Sequence, residues 1–386
     1  MTQSLVGYMS DGGLCVPDSL PRIPQAFFNN IAEMSLQEIA FVVLKMYLCD
    51  IFSPETIKKI VNEVFSAEIP VKWDSKNCFT IEVFKSISGK NIGGGHFLSA
   101  LIAHLKECEN TSYNIITVID HNDVDTTTGD CITHSNQCVL FPSGELSSEQ
   151  IAQIATSNIS AIEIDGSLYD CQLLVKQFLM SANNRSNRVW ITGNSISFVR
   201  GLPYIVFCFH AYARAIETET IGEDTAIVML VSDLESLYAS LIAKKMGLPI
   251  SKVYVTAAVY NSLNLHGQAL GMTIGTIENL WDSGCVAKIN DLYNGDLKKL
   301  QNDIECYYSD IGSPDSEKYR SIYDSIITQG AAETKNVEIM ITNDVPNAVK
   351  GYPAFSDERR SNQNIGHHRK IIKIPPSLSA LMRVLN

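Results

Sequence analysis

Four oxygen-bearing side chains, Asp120, Asn122, Asp123 and Asp125, lie within one short stretch of the chain. Donors of this kind at this density suit a hard cation such as calcium or magnesium. The stretch lacks the sixth-position glycine and closing glutamate of an EF-hand loop, so it reads as a polar loop. His121, Cys131, His134 and Cys138 are of zinc-binding types, but their spacing fits no usual structural module. No metal site is expected. Ser88-Gly89-Lys90 followed by Gly93-Gly94-Gly95 places an amine among glycines in the wrong order for a phosphate-binding loop; the glycines read as a turn into a helix near Phe97. Asp233 and Glu235 stand at the head of a helix-like run, where carboxylates complement the dipole and cap the backbone. Gly366-His367-His368-Arg369-Lys370 reads as an exposed basic turn before a last strand-like run.

These residues need elements to position them. Ser35 and Glu38 form the two halves of a capping box ahead of Ile39, Val42, Val43 and Met46 at helical spacing. Ser53 similarly precedes a helix opening on Pro54 and carrying Ile57, Ile60, Val61 and Val64. Strand-like runs follow at Phe79–Phe84, Asn114–Ile119, Ser160–Ile164, Ala226–Val231, Lys252–Ala257 and Val337–Thr342. Between them lie helix-like runs at Phe97–Glu107, Ser147–Ala155, Tyr169–Met180, Leu202–Glu217, Leu234–Met246 and Ser316–Gln329. Strands alternating with helices of this length predict an α/β fold with a mostly parallel sheet covered on both faces. Ser181–Ser186 and Asp357–Asn364 read as polar loops.

The composition bounds what such a fold does. The chain has 386 residues, 45% of them hydrophobic and 19% charged, which suits a folded protein with a sizeable core. A net charge of −12 and a pI near 5.2 disfavour nucleic acid as a partner. No stretch reaches the roughly 18 apolar residues of a membrane span, and Met1–Gly13 lacks the pattern of a secretory signal. The ten cysteines are scattered without a CxxC pair, which predicts reduced thiols in a cytoplasmic core.

Several segments together resemble the threonine synthase family. Gly7-Tyr8-Met9-Ser10-Asp11-Gly12-Gly13-Leu14-Cys15-Val16-Pro17 is similar to its "GLAPDGGLFVPE" opening. Ser35-Leu36-Gln37-Glu38-Ile39-Ala40 resembles its early helix. Asp165-Gly166-Ser167-Leu168-Tyr169-Asp170-Cys171-Gln172, then Val175-Lys176, resembles "EGTFDDCQ..VK". Asn194-Ser195-Ile196 with Arg200 and Leu202-Pro203 resembles "NSINWARILPQ", and Ala243–Ile250 resembles "AKKMGLPI". The resemblance implies a fold type II pyridoxal-phosphate enzyme, tryptophan synthase β-like. It predicts an N-terminal subdomain over 1–78, a small α/β domain over 79–200 and a large one over 201–386. It also implies carbon–oxygen lyase chemistry, converting O-phosphohomoserine to threonine and phosphate.

The ligand-touching motifs depart from the family. Where "ELFHGPTLAFKD" carries the imine-forming lysine, this chain reads Glu82-Val83-Phe84-Lys85-Ser86-Ile87-Ser88-Gly89-Lys90-Asn91-Ile92, with Asn91 or Ile92 in the lysine's position. Lys90 is the nearby amine. "TSGDTGSA" becomes Asp120–Thr127, in which Asp123 survives in register. "PSGNFGN", the phosphate cradle, becomes Val231–Leu237, with Ser232 retained and two carboxylates added. Thr342 is the counterpart of the hydroxyl that meets the pyridine nitrogen, and Asn194 and Arg200 remain for the substrate. The resemblance implies pyridoxal phosphate as cofactor, and the expectation is a catalytically impaired homologue that has lost the imine lysine and the phosphate loop for it. It would be kept for an amino-acid-like ligand, a protein partner or its own copies, as monomer or homodimer. The alternatives are an active enzyme using Lys90 and, more remotely, the same fold making a modified amino acid.

Overall fold

The computed structural model describes residues 13–17, 19–66, 69, 71–75, 78–81, 94–108, 112–121, 136–157, 159–182, 188–217, 227–231, 233–263, 280–307, 337–341 and 371–385. Lys90, Asn91, Ile92, Asp123, Asp125, Ser232 and Thr342 lie outside the described residues, as does the run Ser316–Gln329.

The first helices form where the capping chemistry places them. α1 is the short turn Gln25–Phe28. α2, Leu36–Leu48, opens on Ser35, whose hydroxyl accepts the Glu38 N–H at 3.2 Å while the Glu38 carboxylate accepts the Ser35 N–H at 2.8 Å. α3, Pro54–Val64, is capped by Ser53 on the Thr56 N–H. Each such cap stabilises its helix by about 1 kcal/mol. Ile39, Val43, Leu44, Ile57 and Ile60 are fully buried, so the apolar stripes of both helices enter the main core.

The chain then lays down two sheets. β1 (Val71–Ser75) and β2 (Cys78–Ile81) form an antiparallel hairpin. α4 (Gly94–Cys108) leads to β3 (Ser112–Val118) and β4 (Asn136–Pro142). α5 (Ser148–Thr156), β5 (Ser160–Ile164), α6 (Leu168–Ala182) and β6 (Arg188–Thr192) follow. After a 3₁₀ turn at Val199–Gly201 come α7 (Leu202–Glu217), β7 (Ile227–Val231), α8 (Leu234–Lys245) and β8 (Ile250–Thr256). The described elements end with α9 (Ala257–Ser262), α10 (Leu280–Leu292), α11 (Leu297–Asp303), β9 (Ile304–Tyr307), β10 (Val337–Ile341), β11 (Ile372–Ile374) and α12 (Leu378–Leu385).

One sheet runs β1-β2-β10-β7-β8-β9 and the other β11-β5-β4-β3-β6. Among the described strands every pairing is parallel except β1 with β2, so the α/β reading holds, with the strands in two sheets. Both sheets interleave along the chain. β10 pairs Ile339 with Phe79 on one side and with Met229 on the other, although these neighbours lie far apart in sequence. β11 closes the second sheet by pairing Ile372 with Ile162. α7 is buried on nearly its whole circumference, from Leu202 to Ala213, and forms the spine of the large core.

β1, β4, β6, β9 and helix α10 are not among the runs read from the sequence. β4 and β6 are short apolar strands buried in a parallel sheet, where the alternation that marks a half-exposed strand is absent. In α10, the apolar residues mark no single face and Gly284 interrupts the run. Among the described residues no helix is long and apolar enough to cross a membrane.

Candidate functional site

Asn194, Asp233 and Glu235 follow the carboxyl ends of strands, where open α/β sheets place their ligands. The loop Gly193–Phe198 leaves the end of β6, and the N-terminus of α8 follows the end of β7. α4 and α10 close on the same loop. Gly94, the first residue of α4, lies so near Arg200 that a Cβ there would stand 2.5 Å from the Arg200 carbonyl oxygen and against its Cγ. Gly284 of α10 meets Ile196 in the same way, and Gly193 meets Thr117. The glycines read as a turn into the Phe97 helix therefore belong, at Gly94 and Gly95, to the helix itself. Gly94 is required by close approach. Gly94→Ala is expected to destabilise the fold by about 1–3 kcal/mol, because the backbone carbonyl cannot rotate aside as a side chain could. Chemical denaturation measures this as a lower midpoint with an unchanged slope.

Asn194 anchors the loop to the sheet. Its side-chain oxygen accepts the Val118 N–H at 2.9 Å, and its NH₂ donates to the Val118 carbonyl at 2.8 Å. The Asn194 N–H donates to Thr192 Oγ1 at 3.2 Å. The side chain thus extends the β3 ladder by one residue past its neighbour β6. The amide expected to meet substrate is committed to the backbone.

Arg200 lies on the 3₁₀ turn, beneath α4. Across from it, α8 begins at Asp233, whose backbone is extended and whose carboxylate accepts the Ser236 N–H and the Ser236 hydroxyl, each at 2.8 Å. One backbone donor of the helix terminus and the hydroxyl beside it are thereby answered from within the chain. Glu235 follows in the first turn. Its Oε1 is buried with no hydrogen-bond partner among the described residues. Burial raises its pKa, Asp233 adds to the rise, and the charges of Arg200 and Lys288 oppose it. Tyr204, buried beside this group, is likewise pushed far up, by burial first and then by the Glu235 carboxylate.

Lys288 was missed in the sequence. It is 2% exposed, and its ammonium donates to the Ser195 carbonyl at 2.9 Å and the Ile196 carbonyl at 3.5 Å. The same nitrogen stands 4.9 Å from the centre of the Tyr238 ring, a cation–π distance. A signal for it existed. Lys288 falls three and four residues after Cys285 and Gly284 and next to Ile289, on the buried face of α10. A lysine on an apolar face is worth a partner search.

Of the zinc-type residues, His121 and Cys138 fall among the described ones. Cys138 is buried in β4 and its thiol is pushed up to about 12, away from ligand chemistry at neutral pH. His121 Nδ1 lies 2.6 Å from the Glu145 carboxylate on an exposed surface. Among the described residues there is no group of three or more metal-binding side chains. Cys15, Cys171, Cys208 and Cys285 are buried and unbridged, as expected of small hydrophobes, whereas Cys49 and Cys108 are exposed.

Comparison with known proteins gives one consistent answer. Residues 2–65 match the family described as Threonine synthase N terminus. The threonine synthase of Saccharomyces cerevisiae is 27% identical over 282 residues, covering 64% of this chain and 53% of that protein. That of Buchnera aphidicola subsp. Acyrthosiphon pisum is 26% identical over 319 residues, covering 77% and 72%. The chain therefore spans about half the length of the yeast relative. Among solved structures, the PLP-bound threonine synthase of Brucella melitensis superposes with a TM-score of 0.72 at 17% identity, covering 99% of this chain and 95% of that one. The Escherichia coli threonine synthase gives 0.71 at 17% identity, covering 100% and 96%. The amino-terminal match, the sequence relatives and the superposition agree: the chain is similar to threonine synthases in sequence and shares their fold.

Proposed function

We propose that this protein is a threonine synthase-like scaffold whose catalysis is impaired because it no longer holds pyridoxal phosphate. The observation that carries this reading is the capped terminus of α8. In a member of this family the corresponding turn would cradle the cofactor phosphate with glycine-flanked N–H groups. In this chain the Ser236 N–H and hydroxyl are taken by Asp233, and the buried carboxyl of Glu235 lies beside them. A dianionic phosphate entering there meets two carboxyls in a medium of low dielectric, where like-charge repulsion is strongest. The residues present do not fit the group. Sequence supports the same reading at the imine position, where Asn91 or Ile92 stands in place of lysine.

Loss of the ligand groups with retention of caps, close-packed glycines and loop anchor leaves a surface shaped like that of an enzyme. Such a scaffold would serve a protein partner or an amino-acid-like ligand.

The experiment is direct. Purified protein mixed with pyridoxal phosphate is expected to show no visible imine band and nothing for borohydride to reduce. It is expected to release no phosphate from O-phosphohomoserine. A stable band abolished by Lys90→Ala would overturn the proposal in favour of an enzyme with a displaced lysine. A stable band that survives that change would overturn it in favour of another amine.

A further inference from the structure

Lys288 of α10 stands 4.9 Å from the centre of the Tyr238 ring, one turn of α8 beyond Glu235, and Arg200 lies on the 3₁₀ turn that packs beside the same helix. The charges of both act on Glu235 at the head of α8. Lys288 is almost wholly buried, yet its two hydrogen-bond acceptors among the described residues are neutral backbone carbonyls, and the face of Tyr238 lies beside it. A buried ammonium satisfied only in this way lacks a compensating negative charge unless one stands nearby. Glu235 Oε1, buried and without a hydrogen-bond partner among the described residues, is the complementary half of that problem. Asp233 completes the group, with both carboxylate oxygens engaged on Ser236.

We propose that Asp233 and Glu235 occupy from within the chain the place of a bound phosphate, with Arg200 and Lys288 as their counter-charges. This rests on the reading that the chain holds no pyridoxal phosphate, and it goes further by naming what replaces the anion. The site is then closed and self-neutralising rather than vacant. Two cations remain where a phosphate would need them, and two carboxyls remove the need. The chemistry that recognises phosphate is latent. Neutralising the carboxyls leaves a helix terminus and two cations facing each other, which is an oxyanion site.

The test uses the full chain and inorganic phosphate, titrated at constant ionic strength against chloride, with the melting temperature and calorimetric heat as readouts. Asparagine caps a helix as well as aspartate does, and glutamine matches glutamate in size, so Asp233→Asn with Glu235→Gln preserves the local shape. The wild type is expected to be indifferent to phosphate. The double variant is expected to bind it at least about tenfold more tightly, a difference of about 1.4 kcal/mol. Adding Lys288→Met should return the double variant to indifference. Neutralising two exposed carboxylates elsewhere, Asp50→Asn with Glu107→Gln, should leave the wild-type response unchanged.

Phosphate binding by the wild type as tight as by the double variant would overturn the proposal. So would a folded double variant that gains nothing, or a gain equalled by the Asp50 and Glu107 control. Where the double variant does not fold, Glu235→Gln alone carries the test, and absence of any gain there overturns it. Because inorganic phosphate carries no aldehyde, these outcomes are independent of imine formation. An imine band in the wild type sinks the proposed function, whereas a silent phosphate titration sinks only this inference.

Discussion

An Asn194→Ala protein is expected to be about 2–5 kcal/mol less stable than the parent chain, the largest loss for any single substitution considered. The alanine removes the acceptor for the Val118 N–H and the donor to the Val118 carbonyl. Val118 is buried, as is Asn194 itself, so water does not readily take over either partner. A buried polar group left unpaired costs about 1–3 kcal/mol, and here two are orphaned together. Asn194→Asp separates the two contributions, because the carboxylate keeps the acceptor and sets an oxygen against the Val118 carbonyl where a donor stood. Urea denaturation is the measurement. A shift of the midpoint worth less than about 1 kcal/mol would mean that the loop is held by other contacts, and would remove Asn194 as its anchor.

Glu235→Gln is expected to change how stability depends on pH. The folded chain raises the Glu235 pKa above its ordinary value of 4.5, through burial first and Asp233 next, against the pull of Arg200 and Lys288. Tyr204 also faces this carboxyl and is itself pushed upward. Above 4.5 the folded state therefore holds a proton that the unfolded state has released. The contribution of Glu235 to stability is fully present below 4.5 and is lost as pH rises through the elevated folded pKa. One linked proton sets an upper slope of about 1.4 kcal/mol per pH unit. Glutamine has no proton to lose, so the variant should gain on the wild type steadily as pH rises from 4.5 and hold that gain at higher pH. The comparison must be made between the two proteins. Asp170, Glu163 and Asp303 have lowered pKa values and favour the folded state in the opposite direction, as pH rises through their own range. Parallel stability curves for the two proteins would show that Glu235 ionises in the folded chain as it does in water.

Much of the architecture was legible because local signals and tertiary packing agree. Ser35 with Glu38 and Ser53 with Pro54 announce helices that form with those caps in place, and the run read from Ser147 forms behind a Ser147–Gln150 capping box. Asp233 was readable for the same reason, since an acidic residue before an apolar run is a cap whatever else surrounds it. The hidden parts depend on distance. Nothing in the sequence near residue 194 says that its amide will reach Val118, because the register of β3 beside β6 decides it. Gly94 reads as part of a turn and Gly284 lies in a helix the sequence reading did not find, yet each is a helix residue without a side chain because another backbone or side chain is already there. Lys288 belongs to the same class. Its partners are carbonyls from a loop far upstream, and only the folded chain brings α10 across it.

The interleaving of the two sheets also governs how the protein is born. On the ribosome, β2 and β7 emerge with their neighbouring edges uncommitted, because the strand that lies between them is β10. β5 likewise waits for β11. Pairings between strands this distant in sequence form slowly and leave unpaired edges open to other chains meanwhile. A nascent chain stalled before residue 337 holds one sheet in two pieces, β1-β2 and β7-β8-β9, and the other without its edge strand β11, so the edges of β2, β7 and β5 stay open until the later strands arrive.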